Sequence, residues 1–192
     1  MTEPRPLRLF VAVSVPLHLL EAVAAATEQL HQTLPGGRWS PPENQHVTLK
    51  FLGSTPAENL EEIAAAIGLV AASFDAASLR LAGLGTFPSR RRARVLWVGL
   101  DDEAGLLASL AAALDDALTL LGFEPENREF TPHLTLARWR TPVPLREALP
   151  ELPADTLEEF AVTAVELFRS HLSPRGARYE MLMSWPLASA AK

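Results

Sequence analysis

His46-Val47-Thr48-Leu49 and His133-Leu134-Thr135-Leu136 are one His-x-Thr-Leu tetrad written twice. Both lie in apolar runs with strand character, QHVTLKFLG and PHLTLARW. On a strand, residues two apart share a face, so each tetrad shows its imidazole and its hydroxyl to one side. Val47, Leu49 and Phe51, like Leu134 and Leu136, are expected on the other side, in a core. Two such strands facing one cleft supply two imidazoles and two hydroxyls, a set suited to acid–base chemistry on a phosphate without a metal. An unperturbed imidazole has a pKa of about 6.5, so one ring can take a proton while the other gives one. Both limbs of the pH profile are then expected between roughly pH 5 and 8. Threonine hydroxyls can donate to non-bridging phosphate oxygens and stabilise the crowded transition state. Arg138, five residues after His133, is the candidate for an added positive charge on that phosphate. Its odd spacing puts it on the opposite face of an ideal strand, so it needs a bulge, a twisted strand end or the reach of a long side chain. A metal site needs at least a third ligand, and neither tetrad has a His or carboxylate two to four positions on. No metal and no cofactor is expected. One tetrad alone is weak, because a histidine bonded to a nearby hydroxyl is a common structural feature; the repetition is what points to chemistry.

The elements around the tetrads repeat as well. The two histidines are 87 positions apart, and the same step carries Phe10, in the run Leu9 to Val13, to Trp97, in the run Leu96 to Leu100. Each run reads as a strand, precedes an Ala/Leu-rich helix and is followed by a His-x-Thr-Leu strand, which predicts a duplication. Leu17, Leu20, Val23, Thr27, Leu30 and Leu34 follow helical spacing up to Pro35-Gly36-Gly37. Leu60, Ile63, Ile67 and Val70 predict a second helix. A third runs from an Asp101-Asp102 cap through Leu107, Leu110, Leu114, Leu118 and Leu121 to a stop at Gly122. Further strands are expected at 79–87, 93–100, around 160–168 and at 178–183. No linker is long or polar enough to separate tethered domains. The reading is an α+β chain folded as a single bilobal domain over 1–192. Its two interleaved lobes carry one motif each, antiparallel sheets line a central cleft with helices outside, and a pseudo-twofold axis relates the halves.

Composition narrows the function classes. In 192 residues, a hydrophobic fraction of 48% is ample for a compact interior, and a formal charge of −6 argues against a general nucleic-acid coat. It leaves room for an enzyme acting on one nucleotide end in a local basic cleft. Cysteine is absent, which removes disulfides, thiol nucleophiles and Cys-based zinc sites together. The first apolar run is too short for a signal peptide, and Asp115 and Asp116 interrupt the longest Ala/Leu stretch well below the roughly 20 residues of a membrane span. A cytoplasmic protein with no membrane contact is expected. Lysine occurs only at 50 and 192; the arginine excess fits a GC-rich codon bias better than a phosphate-binding surface, so each arginine is judged by its position.

The chain resembles the two-histidine (2H) phosphoesterase superfamily and, within it, the bacterial and archaeal RNA 2′,3′-cyclic phosphodiesterases, also described as 2′-5′ RNA ligases. The resemblance spans nearly the whole length. It runs through Arg8 to Val13, Asn44 to Gly53, Gly85 to Pro88, Val95 to Gly99, Phe130 to Arg138 and Gly176 to Tyr179. Gln45 departs from it, since an apolar residue often stands there. The resemblance implies that His46, Thr48, His133 and Thr135 are catalytic, with Arg138 on the phosphate, His46 as proton donor and His133 as base. It implies hydrolysis of a terminal 2′,3′-cyclic phosphate to a 2′-phosphate, with 2′-5′ ligation as the reverse reaction. RNA or oligonucleotide ends carrying that phosphate are the expected partners of a monomer. A cyclic phosphodiesterase for small nucleotides is the second enzyme reading. A catalytically idle RNA- or nucleotide-binding module is the third, and the intact tetrads argue against it.

Other residues carry weaker signals. Phe10 shares the cleft-facing sheet and is a candidate for stacking a terminal base, with core packing an equal alternative. Arg90, Arg91, Arg92 and Arg94 read better as a solvated hairpin tip than as an RNA-backbone contact. His18 and His31 are read as bystanders, and His171 as a lesser candidate for the cleft wall.

Overall fold

The computed structural model describes residues 6–34, 36–145, 149–173 and 176–188. Strand β1 (Leu7–Val13) leads into α1 (Leu17–Ala26) and α2 (Glu28–Thr33). One continuous helix is predicted there, and it breaks at Thr27. The Thr27 hydroxyl donates to the carbonyl of Val23 at 2.8 Å, a bond back along the helix of the kind that bends it. The short strand β2 (Arg38–Trp39) precedes β3 (Val47–Thr55), α3 (Leu60–Ala71), β4 (Ala77–Phe87) and β5 (Ala93–Asp101). Helix α4 (Leu106–Thr119) starts where the Asp102 carboxylate accepts from the amides of Leu106 and Leu107 at 2.9 and 2.8 Å. Strands β6 (His133–Val143), β7 (Glu159–Val162), β8 (Ala164–Ser173) and β9 (Gly176–Pro186) complete the chain. The single strand predicted around 160–168 is two strands. β7 pairs with β4 and β8 with β1, so the chain crosses between halves at Thr163.

All nine strands join one antiparallel sheet, in the order β7-β4-β5-β6-β3-β1-β8-β9 with β2 beside β6. Among the described strand pairings, the two main runs of the sheet join where β3 touches β6, at the register pair Val47↔Leu134. These two residues are equivalent in the repeat, so the pseudo-twofold axis passes between them. The flanking strands obey it too. Val13, Ala12, Val11 and Phe10 pair with Val47, Thr48, Lys50 and Phe51, while Val98, Trp97, Leu96 and Val95 stand in the same relation to Leu134, Thr135, Ala137 and Arg138. The match across β1 and β5 is therefore Ala12 to Trp97, a step of 85; the step of 87 from Phe10 to Trp97 is corrected by two residues.

Each motif strand carries one extra residue immediately after its motif Thr. Thr48 pairs with Ala12 and Lys50 with Val11, leaving Leu49 unpaired; Thr135 pairs with Trp97 and Ala137 with Leu96, leaving Leu136 unpaired. A bulge shifts the side-chain alternation by one. Accordingly Leu49 and Lys50 are buried in succession and Phe51 is 60% exposed, while Leu136 and Ala137 are buried and Arg138 is exposed. The expectation that Phe51 points into the core is overturned by this slip.

The helices cover the convex face. Leu19, Leu20 and Val23 of α1, Ile63 and Ile67 of α3, and Leu107, Leu110, Leu114 and Leu118 of α4 pack on Val11, Val13, Val47, Leu96, Val98 and Leu134 of the sheet. The β3 bulge also turns Lys50 into this interior at 5% exposure, where it binds the Asp115 carboxylate of α4 and the Glu124 carbonyl. Removing one member of such a pair strands the other charge. Asp115→Ala is expected to lower unfolding free energy by about 3 kcal/mol, and Lys50→Met by less, since it leaves only a partly solvated carboxylate. Urea unfolding of the two variants checks the order.

Candidate active site

His46 and His133 face one concave cavity of about 500 Å³, which Thr48, Thr135 and Arg138 also line. The β6 bulge answers the spacing problem of Arg138 by returning it to the face of Thr135. Arg138 Nη2 donates to Thr135 Oγ1 at 3.1 Å, which leaves the threonine proton free to point at a ligand.

The imidazoles are held alike. His133 Nδ1 lies 2.8 Å from the carbonyl of Thr131, and His46 hydrogen-bonds to the backbone of Asn44; each partner is two residues upstream. With Nδ1–H of His133 donating to Thr131, its Nε2 is the nitrogen left for chemistry. The segments before both strands are thus built to orient a ring.

Their surroundings differ. His46 stacks on Phe10 with centroids 4.6 Å apart, meets the Tyr179 ring edge-on at 4.9 Å and lies 5.9 Å from Phe168. His133 has Phe87 edge-on at 5.1 Å and Trp97 at 6.2 Å. The Trp97 ring lies across Gly85, where a Cβ would come within 2.1 Å of it, so only glycine permits that floor. Burial among rings disfavours the charged imidazole. It pushes His46 down to about 4, against the hydrogen bond to Asn44, with Arg138 and His133 lowering it further. Burial also lowers His133, opposed by its bond to Thr131 and reinforced by Arg138.

Phe10 is 2% exposed, covered by His46 and by Phe168, which stacks on it at 5.3 Å. Phe10 borders the cavity, but His46 and Phe168 stack on it, so the core-packing alternative is the one its burial favours, and it supports the His46 ring. The exposed ring in the cavity is Phe51, the repeat equivalent of Arg138. Residue spacing hid Phe51, Phe168 and Tyr179; the step of 87 from Arg138 back to Phe51 was the available signal. The other cavity walls include Arg8, Asn44, Ser170 and Leu172, mostly from the β1/β3/β8/β9 half. His171 is not among them; it binds Glu180 at 2.7 Å on the outer hairpin. Arg90, Arg91 and Arg92 form an exposed turn between β4 and β5. Gln45 is buried, donating to the Ser40 carbonyl at 2.9 Å while its Oε1 stays unpaired. Among the described residues, no three His, Cys, Asp or Glu side chains gather to hold a metal, and no helix is long and apolar enough to cross a membrane.

The family model of the 2′-5′ RNA ligase superfamily matches residues 15–174. An RNA 2′,3′-cyclic phosphodiesterase of Geobacillus stearothermophilus is 35% identical over 183 residues, covering 94% of this chain and 57% of that longer protein. One from Methanocaldococcus jannaschii is 31% identical over 93% of this chain and 100% of its own length. Among solved structures, E. coli LigT complexed with 3′-AMP superposes with a TM-score of 0.82 at 28% identity, covering 96% of this chain and 99% of LigT.

In the free protein, NMR titration is expected to find His46 near pH 4 and His133 below 6.5. Phe10→Ala should move His46 up by admitting water. Because the unfolded ring protonates first, His46 costs no stability above pH 6.5. It costs progressively more as pH falls towards 4, on the order of 3 kcal/mol in full. Unfolding of His46→Gln should therefore depend less on pH across that window.

Proposed function

The chain belongs to the 2′-5′ RNA ligase superfamily, and from that membership we propose that it hydrolyses RNA ends bearing a 2′,3′-cyclic phosphate to 2′-phosphates, by two-histidine catalysis without a metal. The observation that carries the reading is the convergence of both His-Thr pairs and Arg138 on one cavity. Relatives named RNA 2′,3′-cyclic phosphodiesterase and a LigT complex with a 3′-nucleotide support the substrate class. Both motifs come from one chain, which fits a monomer, and we assign it to the cytoplasm, where RNA ends arise.

In this reading Thr48, Thr135 and Arg138 bind the non-bridging oxygens of the cyclic phosphate. Water attacks phosphorus in line with the P–O3′ bond, His133 Nε2 takes the water proton, and His46 gives a proton to the departing O3′. The P–O2′ bond remains, so the product is a 2′-phosphate beside a free 3′-hydroxyl, and solvent restores the two protonation states. The lopsided cavity orients the substrate. Its room lies over the His46 half, with the exposed Phe51 ring offering a π-face to the base. The ribose then sits on the His46 side, and the attacking water on the His133 side. With a 5′-hydroxyl in place of the attacking water, the same in-line displacement of O3′ joins ends through a 2′-5′ bond.

Defined oligonucleotides with cyclic ends, assayed in EDTA with product positions mapped, test the reading; a rate that collapses on chelation and returns with Zn²⁺ would sink it. His46→Ala and His133→Ala should each lower kcat by about 10² to 10⁴, with a far from additive double variant, and the threonine variants by about 10 to 10³.

A substrate with an activated 3′ leaving group no longer needs the acid. It should rescue His46→Ala and not His133→Ala; the opposite pattern would reverse the two roles.

The pH profile follows from the lowered imidazoles. The productive pair holds one proton, so kcat/KM falls when both rings are protonated and when neither is. In the free protein both limbs lie on the acid side of 6.5, the lower near 4, rather than between pH 5 and 8. Bound phosphate raises both, so the kcat bell should sit at higher pH. A kcat/KM maximum above pH 7 would contradict the burial of the pair.

A further inference from the structure

In the β2–β6 pairing Arg38 stands directly opposite Arg138. Opposed residues of an antiparallel pair project to the same side, and like charges so placed repel. The alternation fixes that side. Trp39 packs edge-on against Trp139 on the convex face, while Arg138, directly opposite Arg38, lines the cavity, so Arg38 shares the concave face beside the cavity lining. Both arginines are exposed. The four ion pairs among the described residues involve neither of them, in a chain whose formal charge is −6. Arg138 is held by Thr135 towards the reacting phosphate. Arg38 makes no ion pair among the described residues, and its position is that of a second guanidinium one strand away. An uncompensated arginine pair beside a phosphate site is neutralised best by two neighbouring phosphates.

We propose that Arg38 binds the phosphodiester adjacent to the reacting one, so that Arg38 and Arg138 hold consecutive phosphates and the site favours oligonucleotide ends over cyclic mononucleotides. The assignment rests on the function proposed above and adds its length preference.

The test compares three substrates: a 2′,3′-cyclic mononucleotide, its 5′-phosphorylated form, and a dinucleotide with a cyclic end. Each is assayed with the unaltered protein and with Arg38→Gln. The two substrates carrying a second phosphate are expected to have higher kcat/KM than the mononucleotide, and Arg38→Gln should reduce that advantage about tenfold. The salt dependence of dinucleotide binding should also flatten by about 0.7 in the log–log slope, one phosphate contact on a single strand. A preference retained in Arg38→Gln, or one shown by the dinucleotide and not by the 5′-phosphorylated mononucleotide, overturns the assignment. Equilibrium binding of the same ligands to His133→Ala, with and without Arg38→Gln, reads the preference without turnover. Absence of hydrolysis therefore counts against the proposed reaction, while an unchanged binding preference counts against Arg38.

Discussion

One antiparallel contact, Val47 against Leu134, joins the β7-β4-β5-β6 and β3-β1-β8-β9 runs of the sheet, and the cavity depends on it. Because the contact lies on the pseudo-twofold axis, whatever stands one residue to either side on β3 has its counterpart on β6. His46, Thr48, His133 and Thr135 are those residues. Their side chains all leave the concave face, while Val47 and Leu134 enter the helix-covered core at 0% exposure. Full burial of these two residues against α1, α3 and α4 ties the spacing of the imidazoles to the hydrophobic core. A slip of one residue at this contact would turn both pairs out of the cavity.

Duplication makes two similar half-sites, and the bulges make them serve different ends. The extra Leu49 and Leu136 reverse the alternation in the same way on β3 and β6. On β6 the residue brought back to the cavity is Arg138, a phosphate ligand in chemical character; on β3 it is Phe51, a flat apolar surface. The same slip sends Lys50 inward, where Asp115 and the Glu124 carbonyl must receive it. Burial of this ion pair is thus linked to exposure of the aromatic ring one residue further on.

The imidazoles differ for a related reason. Both use a backbone bond two residues upstream, so orientation is common to them. His46 has three rings packed round it and His133 two, and the more enclosed ring loses more hydration when it takes a proton. Symmetry in the backbone coexists with asymmetry in proton affinity: in the free protein His46 is the harder ring to protonate, so its proposed role as acid requires the bound phosphate to raise it.

The tetrads, the faces of their His and Thr residues, the repeat and the α+β class were legible in the chain, because strand alternation and apolar spacing are local properties. The aromatic runs and leucine spacings likewise placed most strands and the helical segments. The bulges were not legible: an extra residue in a strand exists only relative to its partner, and Leu49 or Leu136 looks like any other strand leucine. For that reason Phe51 was assigned to the core, Arg138 was left with the wrong parity, and Phe10 and Trp97 were matched two residues out of register. The same limit hid the crossing at Thr163, which depends on which strand each side of it pairs with. The depression of His46 was beyond the sequence as well, since Phe10, Phe168 and Tyr179 reach it from β1, β8 and β9. Residue type and spacing determined which groups could do the chemistry; only the pairing of distant strands decided which of them share a face, and how dry that face is.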